Sequence, residues 1–414
     1  MLKIQGLLAL FSIIFFMNSK IIGDELEFTT PHHVGVSDKK LSKISPVVNK
    51  LIKDKKLAGA SVMVARAGKV CFHEVYGYMD IENNKLMKKE TLFRIYSMTK
   101  AITTSAVMQL AESGSIKVND PIGKYIPELN DLKVYGDIDK KKVDITIAQL
   151  MTHTSGLIYR YKGEYGKLLT NSDALNKKND LKEMSKKMGE TPLFFRPGTD
   201  WAYGTSTDVL GYLIEKVSGK KLDIYLSENF FTPLGMTDTS FFVPKEKVER
   251  FAVNYHSDGK GKLYIKDDPS KSRYLEKPKL LSGGGGLVST ISDYMKFLMM
   301  IRNGGSFNGV KFLKPETVDL MTQNQVSEKV GWIKFGKEVR DGIGFGYGFS
   351  VCEELSKFDP ARKVGDYGWG GAASTHYWVS PVDDLIVITM EQTMPYSFML
   401  ETALKPIIYN SIMR

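Results

Sequence analysis

The chain has 414 residues, 43% hydrophobic and 25% charged, the balance of a soluble globular protein with a large core rather than a disordered or fibrous one. Its net charge of +10 comes mostly from lysines scattered through loops, with no basic-aromatic module, which argues against a nucleic-acid partner. Cys71 and Cys352 do not make a disulfide framework and read as small buried hydrophobes, and the six histidines have no metal-ligand spacing, so no cofactor is expected.

In chain order, Met1-Leu2-Lys3 followed by apolar Gly6 to Met17 has the layout of a secretory signal. Residues 1–23 are read as a signal peptide or N-terminal anchor, and the protein is expected to be exported, periplasmic or secreted; membrane association through an uncleaved segment stays open. An amphipathic helix follows over about 36–55, with Leu41, Ile44, Val48 and Leu51 at helical spacing. Two strands, Ala60 to Ala65 and Val70 to Tyr76, flank the hairpin turn Arg66-Ala67-Gly68-Lys69. A short run, Thr91 to Ile95, then leads into Ser97.

Lys100 stands three residues after Ser97, and an apolar run continues to Gly114, so a buried helix is expected to begin near Ser97 and stop at that glycine. Residues so spaced share a helix face, which lets Lys100 reach the Ser97 hydroxyl. A serine hydroxyl is a poor nucleophile until a nearby base takes its proton, and a desolvated lysine can act as that base. Ser-x-x-Lys also occurs as a capping serine with a solvent-seeking lysine, so the motif needs support elsewhere in the chain.

From Asn119-Asp120-Pro121 the pattern changes to helices and lysine-rich loops, with short helices over 145–151 and 181–188. An inserted, mainly helical region over 126–274 is thus expected to interrupt a sheet-and-helix domain of 36–125 plus 275–414. Within it, His153 lies in a tight polar turn and reads as a structural histidine rather than a general base. Tyr203 is held between the turn at 196–199 and a helix from Thr207 to Ser218, either as an aromatic anchor or as a phenol sharing a proton with a lysine. The loops from Tyr159 to Glu190 are expected to wall a substrate pocket. Ser282-Gly283-Gly284-Gly285-Gly286 lacks the lysine of a phosphate-binding loop and reads as close backbone packing before a helix over 291–303. Strand patterns return at 346–352, 373–379 and 385–390, followed by a helix over 398–413. Between them, the glycines of Trp369-Gly370-Gly371-Ala372 would let a ligand approach a strand edge, where a backbone N–H facing Ser97 would complete an oxyanion hole.

Together and in this order, Ser97-x-x-Lys100, Tyr203 in Trp201-x-Tyr203-x-x-x-x-Asp208-Val209-Leu210-Gly211, and Trp369-Gly370-Gly371 resemble the serine β-lactamase and penicillin-binding-protein superfamily. The likeness is greatest to class C β-lactamases and family VIII carboxylesterases, and it runs from roughly residue 40 to the C-terminus. His153-Thr154-Ser155-Gly156, Pro233-Leu234-Gly235-Met236 and Gly284-Gly285-Gly286-Leu287 agree with it. The resemblance implies an α+β fold in which an antiparallel sheet, built from both chain ends, is flanked by helices. It implies Ser97 as the acylated nucleophile, Lys100 as proton acceptor or relay, and Tyr203 as partner base and later acid. The oxyanion hole would be the backbone N–H groups of Ser97 and Ala372, with Trp369, Gly370 and Gly371 on the substrate.

Two departures refine the expectation. Tyr203-Gly204-Thr205 lacks the asparagine of the β-lactamase Tyr-x-Asn, and Trp369-Gly370-Gly371 stands where those enzymes carry Lys-Thr-Gly. Loss of a charge-assisted contact of about 1.5–3 kcal/mol would make substrates with a carboxylate beside the scissile bond poor ones. The expected activity is an exported serine hydrolase cleaving small acyl esters through an acyl-serine. A β-lactamase or D-amino-acid peptidase using the same residues is the alternative, and a non-catalytic cell-envelope binding protein a third reading. The partner expected is a small-molecule ester; the oligomeric state cannot be read from the sequence.

Overall fold

A computed structural model describes residues 25–139 and 141–413, so the signal-peptide expectation lies outside the described residues. Eight strands form one antiparallel sheet: β1 Gly59–Arg66, β2 Lys69–Asp80, β3 Lys85–Leu86, β4 Ile343–Phe345, β5 Ser350–Cys352, β6 Tyr367–Gly371, β7 Thr375–Ser380 and β8 Leu385–Met390. Their order across the sheet is β4-β5-β6-β7-β8-β1-β2-β3. The β1–β8 pairing, Ser61 opposite Met390 through Arg66 opposite Leu385, joins the two ends of the chain. The β1–β2 turn places Ala67 and Gly68 at φ +51° and +75°, the conformation a tight hairpin with native twist requires.

Alternation along the central strands explains why they are apolar on both faces. In β1, Met63 and Ala65 join one core cluster, while Ala60, Val62 and Val64 join another. In β8, Ile386 and Ile388 take the first side, Leu385 and Val387 the second. The second side is covered by α1 (Ile44–Lys53), through Ile44 and Val48, and by the C-terminal helix Met399–Ser411, through Leu400, Leu404 and Ile408.

The first side is covered by α2 (Thr99–Glu112), which is buried along almost its whole length. Thr104 and Ser105 on this helix return their hydroxyls to carbonyls four residues back, which satisfies them inside an apolar setting. The middle of the chain adds α3 (Ile147–Met151), α4 (Gly163–Ser172), α5 (Leu181–Gly189) and α6 (Ser206–Ser218). The apolar faces of α3, α5 and α6 enter the same core cluster as α2, and α7 (Ile291–Arg302) packs there against β8. This region also carries a small hairpin, Asn254–Ser257 with Leu263–Asp267, paired in parallel to Thr393–Met394.

The helix expected over about 36–55 is split into Asp38–Leu41 and Ile44–Lys53, the strand expected from 373 starts at Thr375, and two further boundaries differ from the sequence reading. Ser97 lies in a short 3-10 turn, Tyr96–Met98, and α2 begins only at Thr99. Residues 346–352 do not make one strand. The chain turns at Gly348, φ +95°, where a Cβ would lie 2.2 Å from the Thr104 hydroxyl, so the strand starts at Ser350.

Glu391, just past β8, is buried, and loss of hydration pushes its carboxyl up to about 8. The folded protein thus holds a proton that the unfolded chain releases in the ordinary glutamate range. The resulting stabilisation is fully present below about 4.5 and is lost as pH rises through about 8. Glu391→Gln should flatten the decline of Tm across that window at fixed ionic strength. An unchanged slope would mean that Glu391 titrates as an ordinary glutamate.

Candidate active site

Ser97 is half-buried at the floor of a cavity of about 710 Å3 that Tyr96, Tyr159, Tyr203, Gly284 and Ala372 also line. Ser97 is held from two directions. Behind it, the residue before it, Tyr96, adopts φ +39°, a strained backbone value for a side chain of this size. Beside it, β6 ends against the backbone that leads into Ser97, and a Cβ on Gly371 would meet the Ile95 carbonyl oxygen at 2.3 Å. Glycine at 371 is thus what lets the β6 edge, and Ala372 after it, reach Ser97.

Lys100 is 1% exposed and sits in the first turn of α2, where its nitrogen has three polar neighbours. Nζ lies 3.4 Å from Ser97 Oγ, 3.2 Å from the Tyr159 hydroxyl and 2.6 Å from the Gly284 carbonyl oxygen. The Tyr203 ring lies against the same nitrogen, 4.6 Å from centroid to Nζ. In the free-amine form, Tyr159 and Gly284 accept its two protons, which leaves the lone pair facing Ser97. This is the geometry proton abstraction from the hydroxyl needs.

A second tier fixes these acceptors. Asp208, buried in the first turn of α6, accepts from the Gly284 N–H at 3.1 Å, from the Ser282 hydroxyl and, at 3.5 Å, from the Tyr159 hydroxyl. Burial, with Asp208 beside it, pushes the Tyr159 phenol well above its ordinary value, so it stays protonated and its oxygen remains available to Lys100. A Cβ on Gly284 would meet the Asp208 carboxylate at 2.5 Å, so the glycine run brings a carbonyl to the lysine as well as packing closely.

The sequence-derived candidates divide accordingly. Ser97, Lys100 and Tyr203 are brought together, and Ala372 lines the cavity with Ser97 and Tyr203. Trp369 joins through its indole N–H, which donates to the Tyr203 phenol oxygen at 3.3 Å and fixes its orientation. None of Trp369, Gly370 and Gly371, expected on the substrate, lines the Ser97 cavity; alternation along β6 turns Gly370 to the opposite face, 2.6 Å from the Tyr396 hydroxyl for an added Cβ. His153 is buried among Trp201, Tyr203 and Phe345, with Nδ1 accepting from the Gly204 N–H at 3.4 Å, and burial lowers its basicity. Its place supports the Tyr203 loop. Tyr159 and Asp208 were not singled out as site residues by sequence reasoning. A carboxylate on the apolar stretch Val209, Leu210, Leu213 was the available signal for Asp208; Tyr159 had none.

The beta-lactamase family model matches residues 44–404. A Mycobacterium tuberculosis protein, Rv1367c, is 32% identical over 350 residues, 82% of this chain and 86% of its own length. Esterase EstB of Burkholderia gladioli is 29% identical over 372 residues, covering 85% of this chain and 90% of its own. Among solved structures, EstCE1, described as a hydrolase with promiscuous acyltransferase activity, is similar with TM-score 0.78 and 25% identity over 90% of this chain and 99% of its own.

The role of Asp208 can be isolated with Asp208→Asn. The amide keeps the shape, but its NH2 would donate to the Tyr159 oxygen, so the phenol proton turns toward Lys100 and one lysine acceptor is lost. The expected result is a fall in kcat by about ten- to a hundredfold with KM and fold little changed, since misoriented catalytic groups cost about that much. A full kcat, or an equal loss confined to KM, would remove Asp208 from the positioning of Lys100.

Proposed function

This chain belongs to the beta-lactamase family, and from that premise we propose that it cleaves small acyl esters through an acyl-Ser97 intermediate. The observation that carries the reading is the setting of Lys100, whose nitrogen has fixed acceptors on Tyr159 and Gly284 and its remaining direction toward Ser97 Oγ.

In the proposed cycle Lys100 takes the Ser97 proton as Oγ attacks the ester carbonyl carbon. The negative charge that develops on the carbonyl oxygen is held by the backbone N–H groups of Ser97 and Ala372. The C–O bond to the alcohol then breaks, and the proton passes through Tyr203 to the departing alkoxide. Water attacks the acyl-Ser97 carbonyl in the second half, giving its proton to the Tyr203–Lys100 pair. Ser97 Oγ recovers a proton as it leaves, and the carboxylic acid departs. An alcohol in the place of that water would give acyl transfer instead. The likeness to EstCE1, a hydrolase with promiscuous acyltransferase activity, favours keeping this second outcome of the same intermediate.

Esters rather than β-lactams are proposed because Trp369 supplies an indole N–H directed at Tyr203 and no fixed positive charge. In kcat/KM, p-nitrophenyl acetate or butyrate should exceed nitrocefin by at least about a hundredfold, as about 3 kcal/mol of missing transition-state binding requires. Trp369→Lys should narrow the gap. Efficient nitrocefin hydrolysis by the unaltered protein would move it to the β-lactamase reading.

Lys100 and Tyr203 should behave as one unit. Lys100→Ala and Tyr203→Phe are each expected to lose roughly three orders of magnitude in kcat, and the double variant little more, because coupled catalytic groups are not additive. Additive losses would make one of the two merely structural.

A further inference from the structure

The cavity above Ser97 opens between two segments of the chain, and both bring cations to its mouth. Arg160, just after the His153 turn, and Lys177, in the loop after α4, border it from one stretch of chain; Arg273, Lys277 and Lys279 border it from another, and all five are exposed. Lys277 is paired with Asp223. Arg160, Lys177, Arg273 and Lys279 make no ion pair with a carboxylate among the described residues. Arg273 instead donates to the Tyr274 phenol at 3.2 Å, its guanidinium 5.0 Å from that ring's centre. Glu276 is the carboxylate on this rim, while Asp208 is committed below it to Ser282, Gly284 and Tyr159.

Lysines are common over the surface of this chain, so a cation at a cavity mouth is not by itself informative. Here four such groups face one opening from two independent segments, above walls that include Phe241 and Leu280 and a floor that carries the nucleophile. Like charges across a shared opening repel one another, and an anion seated between them relieves that repulsion while its chain lies on the apolar wall. Trp369 does not line this cavity, so the rim lies apart from the side on which a positive charge is missing.

We propose that the cationic rim of Arg160, Lys177, Arg273 and Lys279 selects esters that carry an anionic group, a carboxylate or sulfonate, at the end remote from the scissile bond. This rests on the reading of Ser97 as the acylated residue. The anion can sit on the acyl or on the alcohol portion, and two substrate pairs distinguish these.

Binding is measured first on Ser97→Ala, by titration calorimetry, so that turnover does not enter. The acyl pair is p-nitrophenyl adipate monoester against p-nitrophenyl hexanoate; the alcohol pair is 4-sulfophenyl acetate against phenyl acetate. In at least one pair the anionic ester should bind at least about tenfold tighter, and raising NaCl from about 20 to about 500 mM should erase most of that advantage. In the same background, Arg160→Gln with Lys177→Gln, Arg273→Gln and Lys279→Gln should abolish the preference, with Tm reporting the fold. The ratio of kcat/KM values for the two esters should follow the same pattern in the Ser97 protein. Equal affinity in both pairs, or a preference that survives the four substitutions, would overturn the proposal. A salt-sensitive preference in a protein that turns over no ester would sustain the rim and remove the Ser97 reading instead.

Discussion

A lysine nitrogen that is almost wholly removed from water must find its hydrogen-bond partners inside the protein, and the site is arranged around that requirement. Lys100 meets it with Ser97, Tyr159 and the Gly284 carbonyl. Each of those partners is itself held by something that would otherwise lack a reason. Asp208 is buried in α6 because it fixes the Tyr159 hydroxyl and the Gly284 amide; glycine is needed at 283 and 284 because a Cβ there would collide with the Thr207 carbonyl of α6 or with the Asp208 carboxylate. A buried polar network of this kind is stabilising only when all of its members are satisfied, so its residues constrain one another more tightly than pairwise contacts suggest.

The fold delivers this arrangement by bringing distant segments to one point. Pairing of β1 with β8 closes the chain on itself, and β7 and β6 follow in register, so that residue 372 reaches residue 97. The middle of the chain contributes Tyr159, Tyr203 and Asp208 from α6 and the loops before it, and Gly284 just before α7. Because α2, α3, α5, α6 and α7 share one continuous core cluster with the sheet, these contributions are set by common packing rather than by loops hinged on a separate body. The cationic rim comes from the outermost parts of the same loops, which leaves the charge of the cavity mouth independent of the chemistry at its floor.

What could be read in the sequence follows this division. Features set by local geometry were legible. The Ala67-Gly68 hairpin needs residues that accept positive φ, and the Ser97–Lys100 spacing puts the lysine one turn from the hydroxyl. His153 sits in the tight turn expected of it, but the backbone group its ring holds is the Gly204 N–H of the Tyr203 loop rather than one of its own turn. Contacts made by the main chain were not legible, because a carbonyl such as that of Gly284 is present whatever the side chain. Tyr159 was hidden too: it reaches Lys100 across 59 residues, and no period or spacing encodes that meeting. The strand expected over 346–352 failed because the sequence does not reveal that Thr104 occupies the space beside Gly348.

The central claim is that Ser97, served by Lys100, carries the acyl group. Rapid quenching of the protein with a slowly hydrolysed ester, followed by peptide mass spectrometry, tests it most directly. The account predicts a single acyl mass addition on the peptide containing Ser97, absent from Ser97→Ala together with turnover. An adduct on any other residue, or undiminished turnover by Ser97→Ala, would contradict it.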